Sequence, residues 1–513
     1  MSTPAAAVVA VVAVVAFLTR WALMAEAGLQ GLHGYDDGVH YAGAAALLSG
    51  RLPYGDFLFL HPPGILVALA PFAGLGRLTS DPLGLSAARV AFWALGALNA
   101  ALVARLAGRY GLVPAAVAGL LYALWFPARY AERTATLEPA GNTALLVALL
   151  LLTRPEPPAS RRDQVLAGAA LGVAVGFKIW MVVPAAVLVA WQLISAGWRP
   201  ALRVATGVGA SALVLVAPFV GVGRDMFRMV VLDQLGRPRD DVALLDRLAG
   251  VVGLAPLSAQ APPAVTHVAV LGTTVLLVLA AAAALRRPPG RLLVALLGAT
   301  VVVLLASPSY IEHYSTYAAV PVVLVLATAA GVALPVRRPA AAGRPVAAAP
   351  PRWRPVVTGL AVAALAGLFG LQFALTVAVD SGRPFPGARL RTYVADRPCV
   401  VSNDPAVLAL LDVLSRDLRR DCPLLIDATG LTYDRYARTY PDGRPVPRPE
   451  NGAWQERVQR HLTSGSATVL GPSNLEDLSE ATRRRLATLP VLGRAGPYEV
   501  LGRPPSPGAA DGG

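Results

Sequence analysis

Long apolar runs separated by short polar breaks fill the chain up to residue 379, and shorter alternating stretches take over beyond it. A helix that crosses a bilayer needs about 20 apolar residues, with a working range of roughly 17 to 25. On that criterion the pattern predicts spans near 5–23, 86–107, 112–128, 139–152, 165–178, 180–195, 204–222, 264–285, 292–307, 318–335 and 356–379. The fifth and sixth share one stretch, "LAGAALGVAVGFKIWMVVPAAVLVAWQL"; read as a single span, it would move every later loop to the other side. From Asp380 the pattern is that of a soluble fold. "CVVSND" and "PLLIDATG" predict short buried strands, "PAVLALLDVLSRDLRR" a helix between them, "ATVLG" a further strand and "LEDLSEATRRRLATL" a second helix. The expected architecture is a polytopic α-helical membrane protein of about eleven spans over 1–379, a small extracytoplasmic α/β domain over 380–501, and a disordered tail over 502–513.

Composition agrees with the membrane reading and charge orients it. Only 15% of the 513 residues are charged and 55% are hydrophobic, whereas soluble domains carry about 25% charged residues. The net charge of +14 is nearly all arginine, since Lys178 is the only lysine. A nucleic-acid partner would call for one basic face, but these arginines form short clusters between apolar runs. Arginine-rich short loops stay in the cytoplasm. Arg105 and Arg109; Arg154, Arg161 and Arg162; Arg199 and Arg203; Arg286, Arg287 and Arg291; and Arg337, Arg338, Arg344, Arg352 and Arg354 then all fall inside if the shared stretch is two spans. The mixed-charge segments 36–56, 129–138 and 224–247, and Glu312 with His313, fall outside. A cytoplasmic N-terminus and an external C-terminal domain follow. The first apolar run lacks the positive n-region of a secretory signal and is read as a retained helix. Cys399 and Cys422, both in the external region, are placed to form a disulfide or to remain as two thiols.

The first external loop holds the densest chemistry. "GYDDGVHYAGAAALLSGRLPYGDFLFLHPPG" runs from Gly34 to Gly64. Carboxylates at a membrane mouth are costly unless solvated or paired, which makes them functional candidates. Helical spacing puts Asp37, Tyr41 and Ala44 or Ala45 on one face, suited to a helix lying along the interface. His61-Pro62-Pro63 then stiffens the return of the chain. The expected result is an outer cavity lined by Asp36, Asp37, His40 and His61. Imidazoles beside carboxylates also suit a divalent cation. Their spacing matches no strong metal pattern, and structural hydrogen bonding is the preferred role of the two histidines.

"YDDGVHY", "GRLPYGDF" and "HPPG" resemble the first external loop of the lipid-linked-sugar glycosyltransferases of the GT-C superfamily. Closest are the protein O-mannosyltransferases and aminoarabinose transferases, which carry Asp-Glu before an aromatic residue and later His-Pro-Pro or Lys-Pro-Pro. The following "ILVALAPFAGLGRLTSDPLGLSAARV" continues the likeness as a short interfacial helix, a turn, and a span opening near Ala-Arg. Here the second acid is Asp37 rather than Glu, and either Asp36 or Asp37 matches the family's catalytic aspartate. The resemblance implies transfer of a sugar from a polyprenyl-phosphate donor to a hydroxyl of a glycan, lipid or protein on the outer face. Asp36 is the first choice of general base and Asp37 the second. A lipid phosphate leaves as an anion, so the site needs cations and no nucleotide-sugar fold; no nucleotide-binding glycine loop is present.

Other external segments supply candidates for donor phosphate or substrate. Lys178 lies about 12 residues, roughly 18 Å, along its span from Leu166; it needs a buried anion there, or else reaches the interface as an anchor. Arg133, His61, His313 and Tyr314 are further candidates, with His40, Tyr41 and Glu138 in support. The segment 224–247 carries Arg237 and Arg239 on an amphipathic stretch that covers the cavity, touches headgroups, or is a plain surface helix. Two rival functions remain: a flippase of lipid-linked saccharides, which predicts ionisable residues in mid-span, and a catalytically inactive membrane scaffold.

Overall fold

The computed structural model describes residues 3–154, 158–333, 354–378 and 382–502. The tail expected after residue 502 and the loop arginines Arg337, Arg338, Arg344 and Arg352 lie outside those residues. The membrane half begins with α1 (Thr3–Ala22), α2 (Tyr35–Leu48), α3 (Gly64–Leu78), α4 (Asp81–Ala107), α5 (Leu112–Leu124), α6 (Phe126–Glu132), α7 (Glu138–Leu152), α8 (Arg161–Phe177), α9 (Val182–Ala196) and α10 (Trp198–Val216). Short helices α11 (Gly223–Phe227), α12 (Asp233–Leu235) and α13 (Leu244–Val251) precede α14 (Pro263–Ala284), α15 (Pro288–Ala306), α16 (Ala319–Ala333) and α17 (Arg354–Ala378). Among the described residues eight helices are long and apolar enough to cross a bilayer; α5 with α6, bent by 58°, adds a ninth when the two are counted as one broken span. The remaining two expected spans are the shorter helices α7 and α8, of 15 and 17 residues. The chain is a multi-pass membrane protein.

Small residues settle the ambiguous fifth and sixth spans. Gly168 packs on Val204, Gly172 on Val208 and Ser211, and Gly176 on Leu215, positions where a Cβ would overlap the neighbour. Both series of numbers rise together, so α8 and α10 run parallel, their backbones drawn close by glycine. The intervening α9 therefore reverses direction. The reversal begins at Lys178, whose extended backbone ends α8.

The C-terminal region adds α18 (Gly387–Val394), α19 (Pro405–Leu410), α20 (Leu414–Arg419), α21 (Gly452–Leu462) and α22 (Glu480–Leu486) around a four-stranded sheet of order β1-β2-β4-β3. β1 (Val400–Ser402) pairs parallel with β2 (Ala467–Leu470), and β4 (Tyr498–Gly502) lies antiparallel to β2 and to β3 (Val491–Ala495). Cys399 and Cys422 form a disulfide. Three expectations are corrected. "PLLIDATG" is not a strand: the Ala428 and Thr429 N–H groups donate to Tyr35 Oη, and Gly430 N–H donates to Asp427, so these donors serve a turn rather than a ladder. The helix over "PAVLALLDVLSRDLRR" breaks into α19 and α20 at Asp412, which takes a left-handed φ of 63°. The second helix begins only at Glu480, where Ser479 caps it.

The first-loop helix α2 is also corrected. It is not spread on the interface, because residues 37–46 are all buried. Its glycines and alanines make it thin enough to be packed from two sides, by α3 and by α19. At Gly38 the Ala406 backbone occupies the space of a side chain. Val39, Ile65 and Leu66 thus share one apolar core with Leu390, Val407 and Ile426, and the C-terminal region sits directly over the first loop.

Candidate functional site

The two adjacent aspartates at the start of α2 meet opposite environments. Asp37 is buried and accepts from Arg89 Nε at 2.8 Å and Nη2 at 2.5 Å, while its other oxygen accepts from Ala135 N–H at 3.0 Å. Arg89 is itself fully buried on α4 and its Nη1 donates to the Leu29 and Gly31 carbonyls. Asp36 has a side chain 40% exposed and lies 3.6 Å from His313 Nε2. Burial of its surroundings raises the Asp36 carboxyl above its ordinary value, and the charge of His313 pulls it back.

Behind Asp36 lies a second charge group. Glu138, at the first turn of α7, is fully buried and pairs with Lys178 Nζ; His313 Nε2 stands 3.8 Å from the same oxygen, and the other oxygen has no partner. Glu138 is thus the anion that the buried lysine requires. Lys178 also lies over the rings of Tyr314, at 3.9 Å, and Trp180, at 4.5 Å. Tyr314 Oη accepts from Arg237 at 3.2 Å, and Arg237 stacks over Tyr433 at 4.3 Å. Two cations, Lys178 and Arg237, therefore flank one tyrosine beside the Asp36–His313 pair.

The cavity on which Asp36 opens measures ≈ 300 Å³ and is lined by Tyr35, Asp37, Arg133, His313 and, from the C-terminal region, Tyr433, Arg448 and Asn474, among others. His40 and His61 do not line it, contrary to expectation. His40 Nδ1 is hydrogen-bonded to the Ala135 carbonyl at 2.7 Å, and its ring packs against His61 and Phe59. Burial lowers the pKa of His40, and lowers that of His61 further with help from the charges of His40 and Arg237. Tyr41 points away, donating to the Asp81 carbonyl between α3 and α4. Arg133 stacks 3.6 Å over Tyr130 and donates to the His33 carbonyl at 2.9 Å. Among the described residues no three His, Cys, Asp or Glu side chains converge as a metal-ligand set.

Sequence reasoning passed over Arg89, Arg448 and Asn474 and left Arg237 unassigned. Arg89 had a signal in the Ala-Arg that opens the second span; the C-terminal residues had none, because nothing local ties them to a loop some 400 positions earlier.

A family model described as "Glycosyltransferase family 87" matches residues 59–308, slightly under half of the chain. No curated protein matches the sequence. Among solved structures, ArnT from Cupriavidus metallidurans bound to undecaprenyl phosphate is similar over 98% of this chain and 98% of its own, with a TM-score of 0.61 and 20% identity. The archaeal oligosaccharyltransferase AglB from Archaeoglobus fulgidus, in complex with an inhibitory peptide and a dolichol-phosphate, is similar over 90% of this chain and 69% of its own, with a TM-score of 0.54 and 14% identity. At such identities the likeness is one of fold.

Proposed function

We propose that this chain, which has the GT-C fold of membrane glycosyltransferases, moves a sugar from a polyprenyl-phosphate donor to an acceptor hydroxyl at the outer face of the membrane. The observation that carries this reading is the unequal fate of two neighbouring carboxylates: Asp37 is consumed by Arg89 and Ala135, while Asp36 opens on a cavity. An alcohol is a weak nucleophile at neutral pH, so a carboxylate within hydrogen-bond reach takes its proton as the oxygen attacks the anomeric carbon. Asp36 has that role, and its raised pKa makes it a stronger base than an exposed aspartate. The bond from the anomeric carbon to the phosphate oxygen breaks as the new bond forms, inverting the centre. The departing lipid phosphate is met by Lys178 and Arg237, with Tyr314 between them. The undecaprenyl phosphate of the ArnT structure and the dolichol-phosphate of AglB support a lipid-linked donor. The disulfide supports an oxidising, external location for the C-terminal region, as does the gathering of Arg105, Arg109 and Arg154 at the opposite ends of the same helices.

Purified protein given radiolabelled polyprenyl-phosphate mannose or arabinose and membrane acceptors transfers label. Asp36→Asn lowers the rate about 10²- to 10⁴-fold with unchanged thermal stability. Full activity in Asp36→Asn overturns the base assignment. Movement of label across sealed vesicles without transfer favours the flippase.

A further inference from the structure

A second cavity lies at the ends of α1, α4 and α7 opposite to Asp36, where the transfer reaction makes no use of it. It measures ≈ 730 Å³ and is lined by Arg105, Arg109 and Arg154. Every other lining residue is apolar or glycine, among them Val9 of α1, Leu112 of α5 and Leu150 of α7. Arginine near the end of a span is ordinary. Three around one apolar hollow are not, because like charges repel and that rule does not draw them together. Arg109 Nη1 donates to the carbonyl and hydroxyl of Thr153, and Nη2 to the Leu150 carbonyl at 3.3 Å. These bonds cap the end of α7 and fix the guanidinium at the wall without neutralising it. Arg154 reaches Asp163 at 3.3 Å, a carboxylate that already accepts from Ser160 N–H and Oγ. Arg105 is exposed and, among the described residues, pairs with no carboxylate. Three cations thus answer to one carboxylate, and that carboxylate does not line the cavity.

We infer that this cavity binds an anionic phospholipid of the leaflet on that side. The guanidiniums meet the headgroup phosphate through N–H donors, and the apolar walls take the upper part of an acyl chain. Basic pockets between transmembrane helices hold headgroups in this way. A free phosphate or nucleotide would leave Val9, Leu112 and Leu150 uncovered, and a neutral lipid would leave the excess of arginine unanswered. The site is not that of the donor phosphate. Glu138, paired with Lys178, stands at one end of α7 and Leu150 near the other, about 18 Å apart along the helix axis. The inference therefore stands independently of the transfer reaction.

Native mass spectrometry of the full-length protein in neutral detergent tests it by counting bound lipid. The probes are dioleoylphosphatidylglycerol, dioleoylphosphatidylcholine and sn-glycerol 3-phosphate, the last carrying the charge without the chains. Phosphatidylglycerol binds about tenfold or more tightly than phosphatidylcholine. Arg105→Gln, at an exposed position that the fold does not need, shrinks the ratio to about threefold or less. Gly108 lines the cavity in helical backbone, φ −59°, and an added Cβ meets nothing closer than Ala115 Cβ at 3.7 Å. Gly108→Leu therefore fills the cavity without backbone strain and weakens phosphatidylglycerol binding about tenfold. Arg286→Gln, in an arginine cluster outside the cavity, leaves the ratio unchanged. Equal binding of the two lipids overturns the inference, and so does an equal loss in Arg286→Gln, which would make the preference a property of the whole basic surface. Binding of sn-glycerol 3-phosphate as tight as that of phosphatidylglycerol overturns it in favour of a soluble phosphate. A preference that emerges only in Glu156→Gln overturns it by giving the arginines to the chain's own carboxylate.

Discussion

Glu132 and Glu138 are six positions apart, both fully buried and both paired with a cation, yet they are finished differently. Glu132 Oε2 accepts from Arg20 Nε at 3.0 Å and Nη2 at 2.5 Å, and its Oε1 from Asn99 at 2.8 Å and Tyr122 at 2.9 Å. Arg20 Nη1 goes on to the Ala123 carbonyl at 2.6 Å. The four bonds to Glu132 join α6 to three elements, α1, α4 and α5. Glu138 has Lys178 on one oxygen, with His313 beside it, and nothing on the other. The first centre is a closed knot and the second is open to rearrangement. A buried ion pair says little about stability on its own account; what separates scaffold from site is whether its remaining hydrogen-bonding capacity is used up. Asp37 and Asp36 repeat the lesson on adjacent residues.

The largest effect belongs to the closed knot. Glu132→Ala strands the Arg20 guanidinium and costs about 3–5 kcal/mol, seen as loss of folded protein on size-exclusion chromatography and a lower Tm. A stable Glu132→Ala protein would erase the distinction between the two centres. Glu138→Gln is next and opposite in kind. The Lys178 ammonium keeps the two aromatic faces, each worth about 0.5–2 kcal/mol, so Tm falls by less than in Glu132→Ala while transfer falls about tenfold or more, a ΔΔG‡ of about 1.4 kcal/mol. The smallest effect is a shift along the pH axis. Asp36 must be ionised to act, so the rate rises with pH through its pKa, and burial puts that limb above the ordinary carboxylate value of about 3.9. His313 opposes the shift, so His313→Gln moves the acid limb of kcat/KM to higher pH; movement to lower pH would sink the assignment.

The chemistry of the first loop was readable as far as it is local. "YDDGVHY" and "HPPG" announced the loop, and Lys178, Glu138, His313 and Tyr314 do meet behind it. Tyr41, His40 and His61 were read as part of the same surface, but a helix buried on all sides sends its polar groups in several directions. A period of 3.6 shows which residues share a face and not what covers it.

From sequence alone follow the membrane class, the placement of the apolar helices and the loop that carries the acids, because the length and periodicity of apolar runs are properties of neighbouring residues. Which aspartate is free was decided only by tertiary structure. Arg89 reaches Asp37 across 52 positions, Lys178 reaches Glu138 across 40, and the turn at Ala428 closes on Tyr35 across 393. A carboxylate's role depends on what neutralises it, and here every partner arrives from a distant part of the chain.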